Sequence, residues 1–279
     1  MIQKLKGQHK TEPAIKLMDK VDNASNSNNS QQSKQRQWNC TAITLDPKGS
    51  RYKAFLKNNK HLTIKTFQGV KGLDLTKQEI IRRGIATKEL VNSPFLKFGL
   101  IGNAASHRAV WEKSSKENKC HLVLEDDCLT HPGIADFIDK NFTKLMNLDI
   151  CQFGLNTDSI LQSISPAGLN CLTLFNPKHP SQEWIENALT QTHTKDVILH
   201  RLIKAFGTCA YFVSPSGARK LCEKIFPLSL ETTEIPLISE RMPATSMDRA
   251  GCREYSKLRA FICQPFLAYT PNTDSSTKE

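Results

Sequence analysis

A short acidic run directly after an apolar stretch is the clearest sign of chemistry in this sequence. Glu125, Asp126 and Asp127 follow Leu122–Leu124, which is predicted to be a buried strand. Three adjacent carboxylates repel one another, and Mn²⁺ or Mg²⁺, which prefer oxygen ligands, would relieve that repulsion. Such an ion also neutralises a departing phosphate, so the run suits a nucleotide-diphosphate leaving group. A solvated helix start, where acids favour the positive end of the dipole, explains the run equally well.

Ser106 and His107 form a second pair of residues that could take part in catalysis. The serine lacks the strand-turn-helix surroundings of a hydrolase nucleophile, which argues against a catalytic triad. His107 shares a helical stripe with Leu100 and Trp111. We therefore expect both residues to support the site from behind by hydrogen bonding. His193 and His200 are candidate late metal ligands, although solvated loop positions suit them better.

The elements that must position these residues alternate along the chain. Strands are predicted at 40–45, 62–67, 121–124, 149–153 and 208–213, and helices at 51–58, 99–117 and 215–225. Ser214 is suited to cap the last helix, with Pro215 in its first turn. The alternation predicts an α/β fold with a mostly parallel central sheet flanked by helices. Residues 163–200 fit neither pattern and suggest an insertion or an acceptor-binding excursion.

Composition narrows the class of protein. The 279 residues are 39% hydrophobic, enough for a sizeable core, and carry a formal net charge of +11. That charge favours a phosphate-bearing partner, although a solvated basic surface accounts for it as well. Dinucleotide and P-loop motifs are missing from the sequence, and so is a stacking motif of the RNA-binding type. Nucleic acid is therefore not an expected partner.

The N-terminal region of the chain differs in composition from the rest. Residues 1–37 are basic and polar and predict a disordered extension, which leaves 38–279 as the folded domain. Met1–Lys20 lacks the apolar stretch of a secretory signal, which predicts a cytoplasmic protein. The nine cysteines include no Cys-x-x-Cys pair, so we expect reduced, buried thiols.

Two motifs resemble glycosyltransferase family 25, which includes lipopolysaccharide-core and collagen galactosyltransferases. They are the Gly-x-Ile-Gly-x-x-x-Ser-His helix at 99–107, with Trp111 after it, and the strand that runs into Leu-Glu-Asp-Asp at 124–127. Segments 43–51, 67–72, 149–154 and 210–221 are similar to further parts of that family. Two positions depart from it: Asn103 stands where the family often has cysteine, and Leu100 where it often has an acid.

The resemblance implies a GT-A-type fold, a UDP-sugar donor, often UDP-galactose, a manganese-type ion and inversion at the anomeric carbon. Carried over residue by residue, Asp127 contacts the metal together with Glu125. Glu125 and Asp126 reach the metal through water or contact the ribose or sugar of the donor. Arg51 matches an early arginine that neutralises a donor phosphate, although a surface arginine on an amphipathic helix is an equal alternative.

An inverting transfer needs a base, and the resemblance places a late aspartate at Asp248. The alternative is a loop aspartate that pairs with Arg249 or Arg253. The expected acceptor is a saccharide or glycolipid of lipopolysaccharide or envelope glycan, reached at an anionic membrane surface. Two other functions stay open: a non-catalytic protein that binds a glycan or nucleotide on the same scaffold, and a basic nucleic-acid-binding protein.

Overall fold

The computed structural model describes residues 36–157, 160–176, 178–236 and 240–272. The predicted extension, 1–37, lies outside this part of the chain except for Arg36 and Gln37. Arg36, the first described residue, pairs with Asp139 and lies over the ring of Trp38. No helix among the described residues is both long and apolar enough to cross a bilayer.

Strands and helices alternate through most of the described chain. The strands are β1 (Trp38–Thr44), β2 (Ile64–Gln68), β3 (Cys120–Glu125), β4 (Leu129–Thr130), β5 (Ile150–Gly154), β6 (Ile160–Ile164), β7 (Asn170–Leu174), β8 (Ile198–Lys204), β9 (Ala210–Val213), β10 (Thr232–Glu234), β11 (Arg241–Pro243), β12 (Ala260–Gln264) and β13 (Ala268–Tyr269). The α-helices are α1 (Ser50–Asn58), α2 (Lys77–Arg82), α3 (Lys88–Val91), α4 (Phe98–Glu117), α5 (Ile134–Lys140), α6 (Phe142–Met146), α7 (Gln182–Gln191), α8 (Pro215–Ile225) and α9 (Met247–Glu254). Single 3₁₀ turns occupy 72–74, 194–196 and 255–257.

Nine of the described strands form one sheet in the order β2-β1-β3-β9-β5-β12-β8-β6-β7. Strand β1 runs parallel to β2 and β3, and β12 runs parallel to β5. Strand β9 lies antiparallel between β3 and β5, and β8, β6 and β7 continue the sheet antiparallel. The sheet is thus mixed, and the expectation of a mostly parallel sheet is corrected.

The direction of β9 could not be read from its residues. All four are buried, because helices cover the sheet on both faces, and a fully buried strand has the same apolar run in either direction. The α/β prediction and the helices on both faces are confirmed. One layer of core side chains includes residues of α4 and α8, and the other includes residues of α1 and α5.

Strand β3 is buried on both faces, which decides where its acidic end points. Val123 belongs to the core layer that contains α4, whereas Leu122 and Leu124 belong to the opposite layer. Side chains alternate along a strand, so Glu125 falls on the same face as Val123. The first acid of the run therefore faces helix α4, where His107 lies.

Helix α8 begins as predicted. Ser214 is its N-cap, its hydroxyl accepts a hydrogen bond from the backbone N–H of Gly217 at 3.1 Å, and Pro215 stands in the first turn. The same hydroxyl donates to the carbonyl of Leu148 at 2.6 Å. This cap therefore ties the start of α8 to the chain that leads into β5.

The stretch 163–200 is part of the main domain. It contains the end of β6, strand β7, helix α7 and the start of β8, so three of its strands extend the sheet at one edge. Edge strand β7 has no buried residue, and such a strand carries little of the apolar alternation that reveals strands in a sequence. The nine cysteines are free thiols and seven of them are buried, as expected.

A buried carboxylate anchors the start of β5 and generates a prediction. Asp149 is 1% exposed and accepts hydrogen bonds from Lys220 Nζ at 2.9 Å and from the backbone N–H of Arg259 at 2.9 Å. Burial works to raise the pKa of Asp149, but these hydrogen bonds outweigh it and hold the pKa below its usual value. The carboxylate therefore stabilises the fold above the unfolded-state pKa of about 3.9.

We expect Asp149→Asn to lower the free energy of unfolding at pH 7 by about 1.5–3 kcal/mol, because hydrogen bonds to a buried charge are lost while the cationic partners stay half exposed. Urea denaturation followed by circular dichroism measures this. The deficit should shrink as the pH falls below about 4, where the wild-type carboxylate becomes protonated. Glu117→Gln, which removes an exposed pair with Lys113, is the control and should change stability by less than about 0.5 kcal/mol. An equal effect of both substitutions would contradict the prediction.

Candidate active site

A cleft of about 540 Å³ opens where β1 and β3 end. At that edge of an α/β sheet, loops rather than strands form the surface, and ligands bind there. Seven of the nine candidate residues from the sequence line this cleft: Arg51, Ser106, His107, Glu125, Asp126, Asp127 and Asp248. They come from α1, α4, the end of β3 and α9, so tertiary structure brings together residues that lie up to almost 200 positions apart.

The acidic run forms the turn that ends β3. Glu125 is the last residue of the strand and pairs in register with Ile43 of β1, so both parallel strands stop at the cleft. The backbone then turns, and the N–H of Cys128 donates to the carbonyl of Glu125 at 3.2 Å. The side chains of Asp126 and Asp127 are 15% and 14% exposed, so both acids are held at the cleft wall with little access to water.

Arg51 supplies the nearest positive charge to this turn. Its Nη2 lies 2.8 Å from Asp126 Oδ1 and 3.2 Å from Asp127 Oδ2. Helix α1 begins one residue before Arg51, directly after the turn that follows β1, so the first turn of the helix stands over the acids. Arg51 is therefore part of the cleft. The alternative prediction, an arginine on the outer surface of an amphipathic helix, is wrong.

Asp127 is the acid that the protein neutralises least. Burial, the charge of Glu125 and the charge of Asp126 raise its pKa to about 6, although Arg51 and a side-chain hydrogen bond from Thr270 act in the opposite direction. Its Oδ1 is buried and accepts no geometrically sound hydrogen bond from the described residues. A buried carboxylate oxygen with an unmet demand for positive charge is the atom that would suit a cation.

A chain of buried hydrogen bonds connects Glu125 to the core on the side away from the cleft opening. The indole N–H of Trp111 donates to the hydroxyl of Tyr211 at 2.8 Å, and that hydroxyl lies 2.8 Å from Nδ1 of His107. Nε2 of His107 lies 3.2 Å from Oε1 of Glu125. An ionised carboxylate can only accept, so Nε2–H of His107 donates to Glu125, while the tyrosine oxygen accepts from the indole and shares a further hydrogen bond with Nδ1. His107 is 1% exposed, and its contact with the acidic turn is this bond to Glu125.

Two further side chains fix the same carboxylate. The hydroxyl of Thr208 donates to Oε1 of Glu125 at 3.0 Å, and the side chain of Asn103 also hydrogen-bonds to it. Burial works to raise the pKa of Glu125, but the bonds from His107, Thr208 and Asn103 outweigh it and lower the pKa. Glu125 is thus an anchored carboxylate, in contrast to Asp127 two residues later.

Ser106 shapes the cleft by holding a neighbouring loop. Its hydroxyl accepts from the backbone N–H of Val70 at 2.7 Å and donates to the carbonyl of Gly102 at 2.7 Å. The loop passes so close to α4 that a Cβ atom on Gly102 would lie 2.5 Å from the carbonyl oxygen of Val70. The glycine and serine of the Gly-x-x-x-Ser motif therefore allow and fix this contact, which places Lys71 at the cleft.

Asp248 reaches the cleft from the first turn of α9. Oδ1 accepts from the hydroxyl of Ser246 at 2.5 Å, and Oδ2 accepts from the backbone N–H of Gly207 at 3.2 Å. Arg253, one of its two alternative partners from the sequence, pairs with Glu231 and Glu254 instead. The carboxylate is thus oriented by short polar contacts at the site.

Sequence reasoning missed several polar residues that line the cleft. They are Asp46, Lys71, Asn103, Asn156, Thr208, Ser246 and Asn272. Most stand in loops, which carry no periodic pattern, and only the contact with Glu125 distinguishes Asn103 and Thr208. The candidate metal ligands His193 and His200 do not line this cleft. His193 borders a separate, open pocket of about 500 Å³ beside His131.

The charges that line the cleft do not balance. Five carboxylates (Asp46, Glu125, Asp126, Asp127 and Asp248) face two cationic side chains (Arg51 and Lys71), although the chain as a whole is strongly basic. In the described part of the chain, no three His, Cys, Asp or Glu side chains are arranged to hold a metal ion by themselves. A cation here would need ligands from a bound substrate, which is how Mg²⁺ is commonly held beside phosphates.

Comparison with known proteins adds one finding. A model of glycosyltransferase family 25, described as LPS biosynthesis protein, matches residues 43–235. The match covers more than half of the chain and includes Arg51 and the whole acidic turn, whereas Asp248 lies beyond it. A search of curated proteins returned no match. The chain therefore belongs to glycosyltransferase family 25, a family of LPS biosynthesis proteins.

Proposed function

We propose that this protein is a metal-dependent, inverting glycosyltransferase that moves a hexose from a UDP-sugar, with galactose as the first candidate, to a saccharide or glycolipid acceptor. The acceptor would belong to lipopolysaccharide or a related envelope glycan, in keeping with the family description. The observation that carries the proposal is the acidic turn at the end of β3, which meets an arginine and the start of a helix in one cleft. Together these groups suit a diphosphate with its counter-ion.

The residues fit a manganese or magnesium ion shared with the substrate. Asp127 would be the direct protein ligand, because its buried Oδ1 lacks a hydrogen-bond donor among the described residues. Glu125 would contribute as a further carboxylate, although hydrogen bonds already occupy its Oε1. When bound, the ion would neutralise the negative charge of the diphosphate as it leaves. One or two carboxylates plus phosphate oxygens are a common ligand set for such ions.

Arg51 and the start of α1 would hold the diphosphate. Gly49 and Ser50 line the cleft where α1 begins, and the positive end of a helix dipole attracts phosphate. Arg51 already spans Asp126 and Asp127, so its charge is placed where the phosphates and the acids would meet. Asp126 would keep this arginine in position, or would contact the ribose or the sugar of the donor.

Asp248 would act as the base of an inverting transfer. The acceptor hydroxyl oxygen would bond to the anomeric carbon while the bond from that carbon to the diphosphate breaks, and Asp248 would take the hydroxyl proton. Ser246 and Gly207 donate to its two oxygens and so orient the carboxylate without neutralising it. The basic surface of the chain, with a net charge of +11, would favour work beside an anionic membrane that carries the acceptor.

The first test is calorimetric titration of UDP-galactose, UDP-glucose and UDP into the full chain, with and without Mn²⁺. Binding that depends on Mn²⁺ supports the donor site, because the cleft has too little positive charge of its own for a diphosphate. If none of these ligands binds when Mn²⁺ is present, the UDP-sugar proposal is wrong. A protein that binds a nucleotide or glycan without catalysis would bind the donor but release no UDP when acceptor is added.

We expect Asp127→Asn to lower the rate of sugar transfer on the order of 100-fold or more, because the main candidate ligand for the cation loses its charge. The melting temperature should stay the same or rise. Burial and neighbouring acids raise the pKa of Asp127 to about 6, so the ionised side chain is unfavourable to the folded state near pH 7. Radiolabelled transfer and calorimetry measure the two effects. Asp136→Asn on α5, an exposed acid that does not line the cleft, is the matched control. Transfer at the wild-type rate would refute the assignment.

The hydrogen bonds that link Trp111, Tyr211 and His107 to Glu125 give a second prediction for activity. Tyr211→Phe leaves the buried Nδ1 of His107 and the indole of Trp111 without their shared partner, which should lower stability by about 1–3 kcal/mol. The imidazole is then no longer held as a donor to Glu125, so transfer should slow by about 10- to 100-fold. Tyr255→Phe also removes a buried hydroxyl, which accepts from Gln152, but it lies outside the cleft. It should therefore lower stability and leave the transfer rate unchanged. Equal transfer rates in the two folded variants would exclude a role in catalysis for the hydrogen bonds that link Trp111, Tyr211 and His107.

A further inference from the structure

Four aromatic rings form a row that ends at the protein surface. Phe175 packs on Phe266 at 5.9 Å between centroids, Phe266 on Tyr269 at 5.6 Å, and Tyr269 on Trp184 at 5.6 Å. Phe266 is buried, whereas Trp184 at the outer end is 51% exposed. The exposed indole is thus held against a rigid aromatic base. We call Trp184 and Tyr269, whose rings meet edge to face at 88°, the aromatic platform.

The fold gives Trp184 its place through the helix that carries it. Ser181 caps α7, and its hydroxyl accepts from the backbone N–H of Trp184 itself at 3.2 Å. The buried side of α7, Ile185 and Leu189, packs with Leu129 in a small core. The helix is therefore fixed, and the large exposed indole remains available. Tryptophan and tyrosine are enriched at binding surfaces, because their rings offer an apolar face and a polar tip together.

The platform is continuous with the cleft along two chain segments. Leu129 stands two residues after Asp127 and pairs with Tyr269 in the short ladder of β4 and β13, which places the platform within roughly 10 Å of the acidic turn by strand geometry. Three residues after Tyr269, Asn272 lines the cleft. Neither platform residue lines the cleft itself. The platform therefore lies just outside the site, on the side of the acids.

We propose that the aromatic platform binds a sugar ring of the acceptor saccharide, beyond the ring that receives the hexose. This inference rests on the proposed function. A pyranose ring has an apolar face of C–H groups that packs on an aromatic ring, while its hydroxyl groups stay at the edge in contact with water. The distance from the cleft suits a second contact along an extended acceptor, and the rigid row behind Tyr269 keeps the ordering cost low.

The charge beside the platform favours a sugar over an anionic membrane. Helix α7 contains Glu183 and Glu186, both exposed, and no lysine or arginine. This segment is therefore acidic in a chain of net charge +11, so anionic lipid headgroups would be repelled from it. A neutral saccharide meets no such penalty, and the exposed carboxylate of Glu183, next to Trp184 in the chain, is able to accept a hydrogen bond from a sugar hydroxyl group.

The test is titration of the full chain with lipid-free lipopolysaccharide core oligosaccharide, followed by tryptophan fluorescence and calorimetry. Trp38 and Trp111 are buried, so a saturable fluorescence change would report Trp184. We expect Trp184→Ala to weaken binding of the oligosaccharide about tenfold or more, and Trp184→Phe to weaken it less because a ring remains. The control is Met146→Ala on α6, which is 45% exposed and away from the cleft, and it should bind as the wild type does.

Calorimetry with UDP-galactose and Mn²⁺ on the same proteins separates the two proposals. Wild-type protein that binds the donor but no oligosaccharide overturns the platform and leaves the donor site intact. An unchanged oligosaccharide affinity in Trp184→Ala also overturns it, and so does a loss of affinity only for anionic phosphatidylglycerol vesicles. If the donor fails to bind, the proposed function itself fails. Tenfold weaker oligosaccharide binding by a variant that still binds the donor supports the platform.

Discussion

The concentration of negative charge at the end of β3 is the constraint on which the site depends. Three carboxylates in succession stand at a strand end with little access to water, where each ionised group raises the cost of the next. The protein meets part of that cost with Arg51 on one side and a chain of hydrogen-bond donors on the other. The unmet part is localised on Asp127, which is the carboxylate that faces the cleft without a sufficient partner.

The surrounding fold can be understood as the support that keeps this charge in place. Strand β3 is buried on both faces, so its end cannot shift without disturbing two core layers. Helix α4 contributes the adjacent residues Ser106 and His107. Ser106 holds the loop that contains Lys71, and His107 hydrogen-bonds to Glu125. Helix α9, which comes late in the sequence, places Asp248 at the cleft, where it accepts from the backbone N–H of Gly207. Glu125, His107 and Asp248 thus stand on a strand and on helices rather than on loops.

The edge of the sheet has a separate role in this arrangement. Residues 163–200 add strands at the side of the sheet and carry α7 back to the short ladder beside the acidic turn. The cleft and the aromatic platform are therefore built largely by different parts of one domain, which meet at β4 and β13. Such a division would let the platform vary without a change in the acidic turn.

The sequence by itself determined the elements with strong local patterns and the place of the acidic run at the end of a buried strand. Buried strands β1 and β3, helix α4 and the capped start of α8 follow from apolar periodicity and from Ser214 and Pro215, which act within a few residues. The family resemblance also followed from contiguous motifs and is confirmed. Only the tertiary structure decided the direction of β9, the partners of Glu125 and the contact of Trp184 with Tyr269. These depend on residues far apart in the chain, and neither hydrophobic pattern nor local spacing contains information on which distant groups will meet.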